Sequence, residues 1–354
     1  MTDRSAQLLE QVLAAKAAGQ PLRIVGGNSK AFLGRQADAE TQDLNVGEHR
    51  GIVDYNPVEL VLTARAGTPL REIEAALAEH GQALHFEPPH FGDSDTLGGT
   101  LAANLSGPAR PWSGSVRDQV LGIRLINGNG EHLRFGGQVM KNVAGYDVSR
   151  LQAGALGTLG VMTEISLKVM PRPAASLTLV REMSAQQAIE QMNARAAEPK
   201  PLTAACWQGG RMYLRLAGAQ SAVEATAAKW GGEVLEQADG FWRSLQDQQL
   251  DYFKGEAPLW RFSVRANAAL APLPGAWLLD WAGAQRWYRG DAEQPQLEQL
   301  AREAGGQVSL FRGGDRSGEV MHHQPQALAG LQTRMKQAFD PHGLFNPGRL
   351  YSWL

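Results

Sequence analysis

The chain has 354 residues, a single cysteine and a net charge of −2, with an ordinary balance of apolar and charged residues, so it is long enough for two domains and a sizeable core. A charge this close to zero gives no global field to recruit nucleic acid or an anionic membrane, and Cys206 alone excludes an internal disulfide or a cluster held by four local thiolates. No apolar run approaches a membrane span, and no apolar h-region follows Met1, so neither a transmembrane segment nor a signal peptide is expected, which suits a cytoplasmic location.

Leu8, Leu9, Val12 and Leu13 share one face of a helix that ends near Gly19. Residues 22–25 predict a short strand, and Gly26, Gly27, Asn28, Ser29 and Lys30 follow at once. With so little side chain, successive backbone N–H groups can curl round an anion such as a phosphate, and a side chain at Gly27 is expected to stand against it. An ordinary strand-end turn is the alternative. Residues 59–66 predict a strand; Thr68 then suits a helix N-cap with Pro69 at the first helical position and Glu72 in the first turn. Ile73, Ala76 and Leu77 give that helix a buried face, Gly81 closes it, and a strand over 83–86 leads into Glu87-Pro88-Pro89.

The stretch 95–173 carries most of the glycine corners: Gly98, Gly99, Gly107, Gly114, Gly157 and Gly160. Strands are predicted over 120–127 and 131–135, joined by Gly128-Asn129-Gly130, and over 159–169, with a short helix over 148–155 capped by Asp147. Gly154, Gly157 and Gly160 do not have the G-x-G-x-x-G spacing and precede their strand, and no Walker lysine motif occurs, so a Rossmann reading fails.

Composition shifts after Pro173: seven of the nine tryptophans lie between Trp207 and Trp287. Strand 176–183, a helix opened by Ser184, strands 203–208 and 211–217, a helix over 219–230 and strand 233–236 spell βαββαβ, a ferredoxin-like unit. A looser second set follows, with strands 259–265, 276–281, 285–289 and 307–311 and a helix near 294–304. Together they predict one mostly antiparallel sheet with helices on one face. Leu328, Leu331, Met335 and Phe339 then form one helical stripe, which Asp340-Pro341 and the following His-Gly-Leu-Phe-Asn-Pro-Gly break.

The order of pieces resembles the FAD-binding family that includes vanillyl-alcohol oxidase and p-cresol methylhydroxylase. The resemblance is carried by Thr96-Leu97-Gly98-Gly99, Asn104 with Ser106-Gly107, Gly114-Ser115 with Arg117-Asp118, KNVAGYD at 141–147, and Gly157-Thr-Leu-Gly160-Val161. It implies an α+β fold. A two-subdomain FAD-binding part spans 1–173, divided near residue 55, a short cap with a mostly antiparallel sheet spans 174–325, and a closing segment 326–354 returns to the flavin part. It also implies that Gly26–Lys30 in sequence is the first flavin loop, that Pro89 stands in a turn against the flavin, and that the backbone of Gly98 and Gly99 joins the first loop on the pyrophosphate. Arg117 and Asp118 pair to fix their loop or touch the flavin. Covalent members attach flavin through a residue such as a histidine in the first loop. Asn28 stands there and His90 is not at a motif position, so non-covalent FAD is expected.

Within the family, residues 21–35, 51–77, 141–168 and DPHGLFNPGRL at 340–350 resemble the FAD-binding subunits of bacterial glycolate oxidase (glycolate dehydrogenase). That implies work beside a catalytic flavoprotein subunit and an iron–sulfur subunit, oxidising glycolate to glyoxylate, with any place at the inner membrane reached through those partners. The residues offer little substrate chemistry. Oxidising a 2-hydroxy acid needs a base and an arginine for the carboxylate, and the candidates are His322, His323 and Arg261. The histidine-rich stretch of catalytic relatives is reduced to Gly313-Gly-Asp315 and His322-His323, and no residues have metal-ligand spacing. A self-sufficient 2-hydroxy-acid oxidoreductase, such as a D-lactate dehydrogenase, and a non-catalytic scaffold subunit are the other two readings.

Overall fold

A computed structural model describes residues 2–36, 40–137 and 147–354. The predicted motif residues 141–146, Tyr146 among them, lie outside the described residues. Helix Ser5–Ala18 ends at Gly19 in the left-handed conformation, as glycine at that position predicts, and buries Leu8, Val12 and Ala15. Leu13 instead faces solvent. Strand Leu22–Val25 pairs in parallel with Gln42–Asn45. Beside this pair stands a five-stranded antiparallel sheet in the order Ile52–Asn56, Val61–Arg65, Val161–Lys168, Val120–Ile126, His132–Gly136. Helices Leu70–Glu79 and Leu97–Ala103 pack on it through Ile73, Leu77, Leu97 and Leu101, in one core with Leu62, Ile123 and Ile165.

Two local expectations fail here for stated reasons. Thr68 is not the cap of the helix that follows: its hydroxyl exchanges hydrogen bonds with the backbone of Gly51, and Pro69 takes the N-cap position. Residues 96–99 are not a turn but a helix start, with Thr96 as N-cap, its hydroxyl oxygen accepting from the Gly99 amide at 3.2 Å. Two adjacent glycines disguise this helix, because glycine is unfavourable inside one.

Gln82–Ala83 pairs antiparallel with Met170–Pro171, and the other strands form one eight-stranded sheet in which every neighbouring pair is antiparallel. Its first half runs Glu233–Val234, Ala175–Glu182, Arg211–Gly218, Leu202–Gln208, the fourth-first-third-second order of a βαββαβ unit. The second half runs Ala276–Asp280, Gln285–Arg289, Leu259–Ser263, Gln307–Arg312. Alternation along each strand decides what each face covers. Leu179, Ala205, Leu214 and Leu279 meet helices Ala185–Ala196 and Gln220–Trp230. Val180, Cys206, Tyr213 and Leu278 point the other way, toward Leu33, Leu105 and Leu156 of the flavin-motif part. Helix Ala238–Gln246, absent from the sequence-based expectation, also lies on this second face through Trp242 and Leu245, so the helices do not all share one face. Five of the clustered tryptophans (Trp230, Trp242, Trp260, Trp281 and Trp287) are buried, which makes them core.

The C-terminal helix Gln326–Phe339 differs most from its periodicity. Leu328 and Leu331 are exposed, and its one fully buried residue is Lys336. The chain then returns to the first parallel strand: Leu22 donates to the Leu344 carbonyl, and the Asn346 amide donates back to the Leu22 carbonyl at 2.9 Å.

Candidate functional site

Parallel strand Leu22–Val25 ends in the loop 26–30, and this loop faces the N-terminal turn of helix Leu97–Ala103 across one cavity of about 100 Å³. Of the predicted cofactor residues, Gly26, Gly27, Asn28, Ser29, Lys30, Thr96, Gly98, Gly99, Gly157 and Gly160 line it. Asn28 adopts a left-handed backbone (φ 57°), which turns the loop back on itself. No described residue accepts a hydrogen bond from the amides of Gly27, Asn28, Ser29 or Lys30. Four adjacent donors left in this way form an anion-binding concavity.

The second loop contributes differently from the expectation. The Leu97 amide donates to the Thr68 carbonyl, Gly98 to Ala66 at 2.7 Å, and Gly99 to the Thr96 hydroxyl oxygen. These N–H groups are spent inside the protein, so this segment offers a close-packed wall. A side chain on Gly98 would stand 2.9 Å from both the Cβ and the carbonyl oxygen of Ala66. Gly27 is also required by the protein itself: a Cβ there would fall 1.4 Å from the Ser94 carbonyl oxygen. The expectation that it would meet a bound anion first is therefore replaced by a contact between the two loops.

Other members of the predicted set lie elsewhere. Leu97 and Val161 are fully buried core beneath the cavity. Asn104 ends helix Leu97–Ala103 in a left-handed conformation, and its buried side-chain oxygen has no partner among the described residues. Ser115 and Asp118 form a capping box at the helix Val116–Gln119, which Gly114 precedes. The expected Arg117–Asp118 pair is absent among the described residues: Asp118 is held by the Ser115 amide and hydroxyl, and Arg117 is exposed. Helix capping explains the one acid and the one hydroxyl there without a ligand.

Pro89, Ser106 and Gly107 meet the cap at a second, smaller cavity of about 20 Å³, beside Arg261, Asp280, Gln285 and Trp287. Arg261 Nε donates to Gln285 at 2.7 Å, and its guanidinium lies 5.3 Å from the Trp281 ring. Burial lowers Arg261 to about 10, and burial lifts the Asp280 carboxyl to about 7. The cap is tied down here by Trp281 Nε1 donating to Gly107 O at 2.9 Å, Gln246 to Pro88 O at 2.8 Å, and an Arg215–Glu87 ion pair at 2.6 Å.

The candidate bases are remote from both cavities. His322 is buried with Nδ1 accepting from the Val308 amide, and His323 pairs with Glu298 at 2.7 Å.

Three residues escaped the sequence reading. Asp95, buried behind the loop, binds Lys30, the Ser29 hydroxyl and the Phe91 amide. Asn346 accepts from the Ile24 amide at 2.8 Å and donates to the Leu156 carbonyl. Arg349 lines the first cavity and also a neighbouring cleft of about 640 Å³ that holds Arg23, Arg35 and Arg316; burial lowers its pKa, as does Arg23. Only the closing DPHGLFNPGRL stretch signalled the last two, and it did not say which side chains arrive.

A glycine loop with free amides, a helix start packed against it and a large antiparallel sheet closing over both define an FAD-binding flavoprotein of the vanillyl-alcohol oxidase type. The FAD binding domain family model matches residues 3–136. The chain is 50% identical over 352 residues to glycolate oxidase subunit GlcE of Escherichia coli (strain K12), covering 99% of each, and it belongs to that subunit's family. It is also 34% identical over 130 residues to glycolate oxidase subunit GlcD of Bacillus subtilis (strain 168), 36% of this chain and 27% of that one. Two solved structures of alkyldihydroxyacetonephosphate synthase share the fold. Their TM-scores are 0.66 and 0.65 at 16% and 14% identity, over 96% and 97% of this chain and 74% and 75% of theirs.

Proposed function

We propose that this chain is the FAD-carrying electron-transfer subunit of a glycolate-oxidising complex, working beside a catalytic flavoprotein subunit and an iron–sulfur subunit. The observation that supports this most is the set of free amides at 27–30 in a chain matched over its length to a glycolate oxidase subunit. We read 1–173 as the FAD-binding part, 174–325 as the cap and 326–354 as the closing segment. No helix among the described residues is long and apolar enough to cross a membrane.

The cavity and the cleft that adjoins it together suit a dinucleotide. The donor loop of the cavity suits a pyrophosphate, Lys30 and Arg349 supply positive charge, and the cavity shares Arg23, Ala31, Asn346 and Arg349 with the neighbouring cleft, giving an extended ligand room to run on. FAD supplies the two-electron redox centre. With FAD bound, the loop amides would orient the phosphates, Thr96, Gly98 and Gly99 would wall the cofactor, and the cap contacts through Trp281 and Arg215 would limit water at the 87–107 segment. Asn28 offers an amide, which is no nucleophile toward flavin, so the cofactor stays non-covalent. Acid precipitation is expected to leave the yellow colour in the supernatant, and flavin migrating with the polypeptide on a denaturing gel would contradict this.

The same residues explain why the chain depends on partners. Hydride transfer needs a substrate held near a base, but His322 and His323 are engaged elsewhere and the cavity beside Arg261 has room for about one water. One cysteine holds no cluster, so electrons must leave through another chain. Anaerobic mixing of the FAD-loaded chain with glycolate or D-lactate is expected to leave the flavin absorbance unchanged until the partner subunits are added. Bleaching by the isolated chain at a rate that sustains turnover would make it a complete dehydrogenase.

A further inference from the structure

We propose that Asp95 is a positioning residue that keeps Lys30 charged beside the pyrophosphate, so that a carboxylate behind the loop sets how firmly the loop holds FAD. This rests on the reading that FAD occupies the cavity between residues 26–30 and 96–99.

The surroundings of Lys30 single out Asp95. Lys30 is 8% exposed and Asp95 1%. One carboxylate oxygen of Asp95 takes the Lys30 ammonium and the Ser29 hydroxyl, and the other takes the Phe91 amide at 2.6 Å. Asp95 is the only carboxylate in contact with Lys30 among the described residues. The other charges near it are cations. Arg349 of the closing segment donates to the Lys30 carbonyl at 3.4 Å, and Arg312 of strand Gln307–Arg312 lies over Phe91, the ring that the Lys30 ammonium also approaches at 5.6 Å. His90, on the segment carrying Asp95, pairs with Glu74 of helix Leu70–Glu79. Burial favours the neutral amine, and Asp95 opposes it. Burial is the larger influence on Lys30 and lowers its pKa, while Asp95 raises it.

A lysine without this carboxylate loses its proton at lower pH, and FAD binding then requires proton uptake. The sign follows from linkage: the charge on Lys30, and the FAD affinity it supports, is present below its pKa and lost as pH rises through it. FAD affinity of the full chain stripped of flavin can be followed by flavin fluorescence from about pH 6 to about pH 9. The wild type is expected to weaken only toward the alkaline end of this range, because Asp95 offsets part of the effect of burial. Asp95→Asn is expected to weaken with rising pH, approaching about tenfold per unit for one linked proton. Lys30→Met is expected to bind weakly and without pH dependence, and the double variant Lys30→Met/Asp95→Asn to match it. Equal weakening of Asp95→Asn at every pH, or wild-type behaviour, overturns the proposal. If Asp95→Asn alone does not fold, a folded double variant with pH-flat binding supports it, because the buried charge is then what broke the single variant. An unfolded double variant overturns it, leaving Asp95 as a structural tie to Phe91 and Ser29. A wild type that binds no FAD at any pH sinks the reading of the site; a pH-flat Asp95→Asn sinks only this inference.

Discussion

Gly27→Ala is expected to purify without flavin. The added Cβ would sit 1.4 Å from the Ser94 carbonyl oxygen and 2.4 Å from its carbon. Both are backbone atoms, so no rotamer change relieves the overlap. One loop must shift by roughly 2 Å to restore ordinary van der Waals contact. That shift breaks the Ser94 hydroxyl bond to the Gly27 carbonyl and disturbs the Asp95 contacts to Ser29 and Lys30. The free amides then no longer converge. Hydrogen bonds to a charged group contribute about 1.5–3 kcal/mol each, so losing two weakens FAD by about 3–6 kcal/mol, on the order of a hundredfold to ten-thousandfold in Kd. Gly240→Ala in helix Ala238–Gln246, away from the cavity, is the contrast, since its Cβ meets nothing within 4 Å. Flavin-to-protein absorbance ratios, with a melting curve to show that each variant is folded, make the comparison. Full flavin occupancy in a folded Gly27→Ala protein would refute the loop assignment.

The largest loss of stability is expected from Asp340→Ala. Lys336 is buried, and its ammonium donates to the Thr158 carbonyl at 2.7 Å, the Asp340 carboxylate at 2.7 Å and the Phe345 carbonyl at 2.8 Å. Asp340 also accepts the Leu344 and Phe345 amides. Removing it strands a buried cation and two buried N–H groups. Breaking a buried ion pair from one side costs about 3–5 kcal/mol. The urea midpoint is expected to fall accordingly. Lys336→Met/Asp340→Asn, which removes both charges, is expected to lose less. A double variant as unstable as Asp340→Ala would show that the stranded charge is not the cause.

Local chemistry was readable where a single residue settles the backbone. Gly19 ends its helix, Ser184 opens its helix as predicted, there in a capping box with Gln187, and Asp147 caps the short helix after it. The antiparallel cap was readable as well, because strand periodicity survives in a sheet covered on both faces. Helix Ala238–Gln246 was not, since Gly240 and the polar residues around Trp242 mask a face set by tertiary packing. The exposed Leu328 and Leu331 mark the reverse error: apolar spacing predicts a buried stripe, but here the buried position is taken by Lys336. At the site, the glycine loop announced itself through composition. Asp95, Asn346 and Arg349 did not, because their roles depend on neighbours 65 to 322 residues away, such as Lys30 for Asp95 and Ile24 for Asn346.

The return of the chain to strand Leu22–Val25 has a consequence for biosynthesis. The first wall of the cavity emerges from the ribosome early, but Asn346 and Arg349, which complete it, are translated 322 residues after Ile24 and later. The nascent chain therefore carries the glycine loop through most of its synthesis without the segment that backs it. Bringing such distant pieces together is slow compared with forming neighbouring turns. Cofactor capture is thus expected to be a late event in maturation, and a ribosome stalled before Leu344 would display the glycine loop without the closing segment that backs it.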